Sequence, residues 1–184
     1  MSDLTAGRLS VYLRCLTTLE AEGARAVSSR TLAERFHLNA AQIRKDLAYF
    51  GEFGVRGVGY HVRDLRQHLR QILGLDRTVR VAIFGAGNLG LALADYGGFR
   101  REGFVIVALF DNAAAKIGLR SRGGVPIHDI AEFPKIARAT PIDIGVLAVP
   151  AGEAQAVAGI AIDGGVRALL NFSPGAITVP AGVK

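Results

Sequence analysis

Three glycines set the strongest limit on how this chain can fold. In the stretch VAIFGAGNLGLALADYGGF, Val81 to Phe99, Gly85, Gly87 and Gly90 stand between an apolar run and a helix-forming run. At a strand-to-helix turn, that spacing belongs to a βαβ unit that holds a dinucleotide. The first glycine makes the turn, the second lets the backbone approach a pyrophosphate, and the third lets helix and strand pack closely. Ala86 and Leu89 complete the loop, and a helix opening at Asn88 offers N–H groups and partial positive charge to phosphates. Asp111 ends the next apolar run, where a carboxylate accepts hydrogen bonds from the adenine ribose. Asn112 follows it, and no arginine stands beside it to receive a 2′-phosphate, which favours NAD(H) over NADP(H). Lys116 pulls the other way, since a lysine there could reach a phosphate. Another adenine compound, such as coenzyme A, stays open as a ligand.

From Val79 onward, apolar runs alternate with helical patterns. VRVAIF, FVIVALF, VPIHDI, IDIGVLAV and ALLNF read as strands. NLGLALADY and GEAQAVAGIAID read as helices, and AEFPKIAR as a helix interrupted early by Pro134. Near-continuous apolar strands joined by helices imply a parallel sheet covered on both faces. Residues 78–184 are therefore expected to form a Rossmann-type α/β domain.

Residues 1–77 follow a different pattern. Leu9, Tyr12, Leu13, Leu16 and Leu19 repeat at helical spacing, with Gly23 as a stop. Ser28 or Ser29 can cap a second helix, RTLAERF. Asn39 and Gln42 form the reciprocal capping pattern of a third helix running to about Phe50. The glycine-rich GEFGVRGVGYHV suggests a hairpin around Arg56-Gly57, and RDLRQHLRQILG a fourth helix closed by Gly74. Three helices and a hairpin make a winged helix-turn-helix. At about 100° per residue, Ala40, Ile43, Leu47 and Phe50 share the inner face of the third helix. Ala41, Gln42, Arg44, Lys45, Ala48 and Tyr49 face outward. Arg and Lys can donate to guanine, and Gln can pair with adenine. Arg56 at the hairpin tip can enter a minor groove, and Tyr60 can touch a phosphate. Ser29, Arg30 and Gly57 complete the candidate DNA contacts.

The net charge of +6 agrees with a polyanionic partner, and most of the excess lies before residue 78. The single cysteine, Cys15, excludes an internal disulfide and fits a core position in a reducing, cytoplasmic protein. No apolar run is long enough to span a membrane as a helix. A dehydrogenase needs a proton donor near the nicotinamide and a substrate pocket. His128 is the one histidine placed to serve, Tyr96 is a further polar group, and no separate substrate domain is left. An NAD-dependent oxidoreductase with an accessory helical domain is the alternative reading.

The runs SSRTLAERFHLNAAQIRKDLAYFGEFGVRGVGY and VAIFGAGNLGLALADY resemble the family of redox-sensing transcriptional repressors called Rex. The resemblance extends from about Leu9 to Val179. It implies a homodimer that binds near-palindromic operator DNA when NADH is scarce and releases it when NADH binds, with NAD+ discriminating less. It implies no catalytic residue and no metal. It also implies that the nicotinamide pocket draws on Tyr96, on Ala148, Val149 and Pro150, and on Asn171, Phe172, Ser173 and Pro174. Family members continue into a C-terminal helix exchanged between subunits. This sequence stops at VPAGVK, so dimerisation and coupling between the domains are expected to be affected.

Overall fold

The structure is a computed structural model and describes residues 3–184. The chain divides into two compact units, Met1–Arg77 and Thr78–Lys184.

In the first unit, α1 (Asp3–Ala21) buries Leu9, Tyr12, Leu13, Cys15, Leu16 and Leu19 along one side. After β1 (Ala26–Val27) comes α2 (Ser29–Phe36), capped by Ser28, whose hydroxyl accepts from the Thr31 N–H. The turn passes through His37 in the left-handed region (φ 55°) and enters α3 (Ala40–Ala48). Asn39 caps α3 by accepting from the Gln42 N–H at 2.9 Å. The reciprocal half of that cap is not made, because the Gln42 side chain turns to Asp46 instead, at 2.7 Å. Helix α3 stops short of Phe50, which still packs on the core beside the fully buried Ile43 and Leu47.

The hairpin consists of β2 (Gly54–Val55) and β3 (Gly59–His61). The Val58 N–H bonds to the Val55 carbonyl at 3.0 Å, and Gly57 supplies the positive φ (81°) that this turn requires. The other edge of β3 pairs with β1, giving the order β1-β3-β2. Two residues are too few to show strand periodicity, so β1 is not legible in the sequence. Helix α4 (Val62–Ile72) closes as expected, with the Gly74 N–H on the Gln71 carbonyl and the Leu75 N–H on the Arg70 carbonyl.

The second unit runs β4 (Val79–Phe84), α5 (Asn88–Ala94), α6 (Gly98–Arg101) and β5 (Phe104–Asp111). It continues through β6 (Ile127–Asp129), a 3-10 turn (Ile130–Glu132), α7 (Phe133–Ala139), β7 (Ile144–Leu147), α8 (Ala151–Asp163) and β8 (Ala168–Asn171). Its sheet has the order β6-β5-β4-β7-β8, and every pairing is parallel. Pro134 does not interrupt α7; it lies in the first turn, where its missing N–H has no partner to lose. Phe84, Phe110 and Phe133 are fully buried and pack ring on ring at 4.9–5.5 Å. Strand order reverses at β4, which places a crevice at the carboxyl ends of β4 and β7. The Lys184 backbone pairs with the free edge of β8, its N–H on the Arg167 carbonyl and its carbonyl on the Leu169 N–H.

Candidate functional site

A cavity of about 620 Å3 opens at that crevice. The glycine turn forms one wall through Gly85, Gly87, Asn88 and Leu89. Asp111, Asn112 and Lys116 form a second, and Ala148, Val149 and Pro150 after β7 a third. Ile130, Val157 and Ile160 add an apolar surface suited to a flat ring.

Each glycine of the turn is required for a separate geometric reason. A Cβ on Gly85, which has φ 102°, would lie 2.3 Å from the Ala148 carbonyl oxygen. One on Gly90 would lie 1.9 Å from the Gly85 carbonyl oxygen, so no side chain fits between α5 and β4. At Gly87 a Cβ would meet nothing within 4 Å, because that side is the open cavity. There a side chain would obstruct a ligand and not the fold. The amides of Asn88 and Leu89 lie in the first turn of α5, where no carbonyl of the helix can receive them.

Asp111 is 9% exposed and does more than face a ribose. Its Oδ2 accepts from the Ala86 N–H at 2.8 Å and from Lys116 Nζ at 3.0 Å, while Oδ1 accepts from the Ala113 N–H at 2.8 Å. Burial pushes its pKa up, but the two amides and the ammonium outweigh that, and the net direction is down. The carboxylate therefore ties the glycine turn to the loop after β5, and it holds Lys116 against itself. Sequence reasoning missed this tie, although the spacing of Asp111 and Lys116 carried the signal.

Of the residues expected around a nicotinamide, Ala148, Val149 and Pro150 line this cavity, whereas Tyr96 and Asn171 to Pro174 do not. Tyr96 is 60% exposed at the end of α5, stacked edge-on against Phe99. Asn171 and Ser173 build their own loop: the Asn171 amide donates to the Gly175 carbonyl, its Oδ1 accepts from the Ser173 N–H, and Ser173 is buried. Phe172 belongs to an apolar hollow on the sheet face with Leu170, Ile83, Val146 and Phe99. Pro174 is exposed. His128 is 3.7 Å from Glu132 and does not line the cavity. Among the described residues no cluster could hold a metal ion.

In the first unit, Arg44, Lys45 and Tyr49 are exposed along α3, and Arg30, Arg56 and Gly57 are exposed on α2 and the hairpin tip. Arg44 Nη1 donates to the Ser29 hydroxyl at 3.0 Å, joining the two helices of the reading head. Tyr60, expected at a phosphate, is only 8% exposed, and its ring packs in the core. Burial raises its pKa, with Arg44 pulling it back. Gln42 is half-buried and bonded to Asp46. Asp46, 5% exposed, also accepts from Arg8 and Tyr12 of α1. Neither Arg8 nor Tyr12 stands out in the sequence as part of a site.

Comparison with known proteins finds a separate match for each part of the chain. Residues 1–48 match the family model described as "Putative DNA-binding protein N-terminus", and residues 76–175 match the one described as "CoA binding domain". The redox-sensing transcriptional repressor Rex of Desulfitobacterium hafniense is 46% identical over 99% of this chain and 86% of its own length. That of Chloroflexus aurantiacus is 48% identical over 98% of this chain and 85% of its own. Among solved structures, RSP in complex with NAD+ and operator DNA superimposes with a TM-score of 0.93 at 38% identity, covering 99% of this chain and 83% of that one. RSP in complex with NADH gives 0.89 at 37% identity, covering 100% and 85%. At this identity over nearly its whole length, the chain belongs to the Rex family of redox-sensing transcriptional repressors.

Proposed function

We propose that this chain is a DNA-binding repressor that senses the NADH/NAD+ ratio, binding its operator when NADH is low and releasing it when NADH binds. The observation that carries this reading is the pairing of two features in one chain. One is an exposed cationic helix, and the other is an adenosine-sized cavity at the glycine turn. A relative with the same fold has been solved with NAD+ and operator DNA together, and with NADH. The protein is a regulator and not an enzyme; the nicotinamide itself carries the redox signal.

Pyrophosphate oxygens lie at the Gly87–Leu89 amides in this reading, and Asp111 receives the adenine ribose hydroxyls. Asp111 also argues against coenzyme A, whose ribose carries a phosphate that a carboxylate would repel. Tyr96, Ala148 to Pro150 and Asn171 to Pro174 serve the nicotinamide half. Arg44, Lys45 and Tyr49 of α3 enter the major groove, with Gln42 beside them. Ser29 and Arg30 support them, and Arg56 and Gly57 at the hairpin tip reach the minor groove. The protein acts as a cytoplasmic homodimer on a near-palindromic site, its two reading helices about one DNA turn apart. If NADH weakens DNA binding, DNA weakens NADH binding by the same factor.

Fluorescence-anisotropy titration against labelled duplexes, repeated with NADH and with NAD+, tests the reading. Specific binding that NADH abolishes and NAD+ spares is the expected result. Turnover of any small substrate, or failure to bind any duplex, would refute it. Arg44→Ala should weaken specific binding by roughly 1–3 kcal/mol while NADH binding is unchanged.

A further inference from the structure

We infer that Asp46 is a positioning residue for sequence readout, which clamps the Gln42 side chain in one amide orientation, with its Oε1 left to accept from the bases. This rests on the reading of α3 as the helix that enters DNA.

Asp46 lies one turn beyond Gln42 on α3, with its carboxylate turned inward toward α1. Oδ2 accepts from Arg8 Nε at 2.6 Å and from the Tyr12 hydroxyl at 2.9 Å. Oδ1 accepts from Arg8 Nη2 at 2.8 Å and from Gln42 Nε2 at 2.7 Å. An ionised carboxylate offers about four lone-pair sites and only accepts. All are therefore in use, and the group cannot turn without breaking a charge-assisted bond. The bonds from Arg8 lead in holding its pKa down, to about 2, so it is ionised wherever the protein functions.

An acceptor-only partner settles which end of an amide faces it. A free glutamine can flip, offering a donor or an acceptor, and so tolerates more than one base edge. Gln42 cannot: one Nε2 hydrogen is held by Asp46, which fixes the amide in one orientation, with Oε1 as its acceptor and the second Nε2 hydrogen as its remaining donor. The clamp also explains why the reciprocal cap at Asn39 is only half formed. The arrangement selects a base that presents a donor, the exocyclic amine of adenine or cytosine. Arg8 and Tyr12 anchor the clamp from another helix, so readout by Gln42 depends on the seating of α3 on α1.

The test uses the full chain and a duplex that it selects from a randomised pool. Failure to select any duplex would overturn the regulator reading, and this inference with it. Affinities for the selected duplex and all its single base-pair variants are then measured for the chain, Gln42→Met, Asp46→Asn and the double variant. The expected result is that Gln42→Met loses discrimination at one base pair per half-site, by about tenfold. Asp46→Asn should lose the same preference at the same base pair, and the double variant should lose no more. On the unmodified chain, removing the exocyclic amine of that base should abolish the preference. A preference that survived removal of that amine would overturn the inference even if Asp46→Asn did not fold. So would Asp46→Asn weakening all duplexes by one common factor with the Gln42 preference intact, or Gln42→Met leaving discrimination unchanged.

Discussion

Each unit contains a buried aspartate, and the two are satisfied in opposite ways. Asp46 in the first unit takes its bonds from side chains: Arg8, Tyr12 and Gln42. Asp111 in the second takes two of its three from backbone amides, those of Ala86 and Ala113, and one from Lys116. A carboxylate on backbone amides fixes the path of the chain, which is what a pyrophosphate loop needs. A carboxylate on side chains fixes the aim of those side chains and leaves the helix path to the core. The same residue type thus preorganises a loop in one unit and a reading surface in the other.

The contrast can be broken experimentally, beginning where the effect is largest. Gly90→Val would force side-chain atoms into the Gly85 carbonyl and should destabilise the second unit by about 3 kcal/mol or more. Thermal unfolding should show that unit melting early, and DNA binding should no longer respond to NADH. Asp111→Ala would strand the N–H of the buried residue Ala86 and should cost about 1–3 kcal/mol. Binding of NADH and NAD+ should fall together, because the adenosine half is common to both; titration of each form checks this.

Acid sharpens the comparison in the first unit. The Asp46 pKa is lowered from 3.8 to about 2, so its contribution is complete above the unfolded value and is lost as pH falls through the folded one. Roughly 2 kcal/mol of stability should disappear between about pH 4 and pH 2. Asp46→Asn should lack that component when unfolding is followed by tyrosine emission, to which Tyr12, Tyr49 and Tyr60 of the first unit contribute most of the four tyrosines. The smallest effect is Tyr12→Phe, which removes one bond to Asp46 and leaves the ring in the core. It should cost about 1 kcal/mol, measured by denaturant unfolding.

How much of this was legible in the sequence depended on whether backbone or side chains impose the constraint. The glycine turn could be read because each of its glycines answers to a backbone clash or an open approach that no other residue permits. The five strands of the second unit followed from apolar runs. Local signals failed where two of them competed. Asn39 with Gln42 and Gln42 with Asp46 are both valid local pairs, and the buried carboxylate won because its bond is charge-assisted. Pro134 was misread because a proline ends some helices and begins others, and only the 3-10 turn before α7 decides. Tyr60 alternates with its neighbours as a strand residue should, but which face is inward depends on its pairing with the illegible β1. The tie from Arg8 to Asp46 spans two helices, and no local spacing announces it.

The cavity has a kinetic consequence. Its adenosine side is held by the chain's own bonds, from Asp111 to the Ala86 and Ala113 amides, whereas Tyr96 and Phe172 stand exposed outside it. On the proposed reading, both redox forms of the cofactor dock first by the half they share, and so arrive at nearly the same rate. They are told apart by how long they stay. A sensor built this way reports through residence time, and its response to a falling NADH level is set by the rate at which the reduced form leaves.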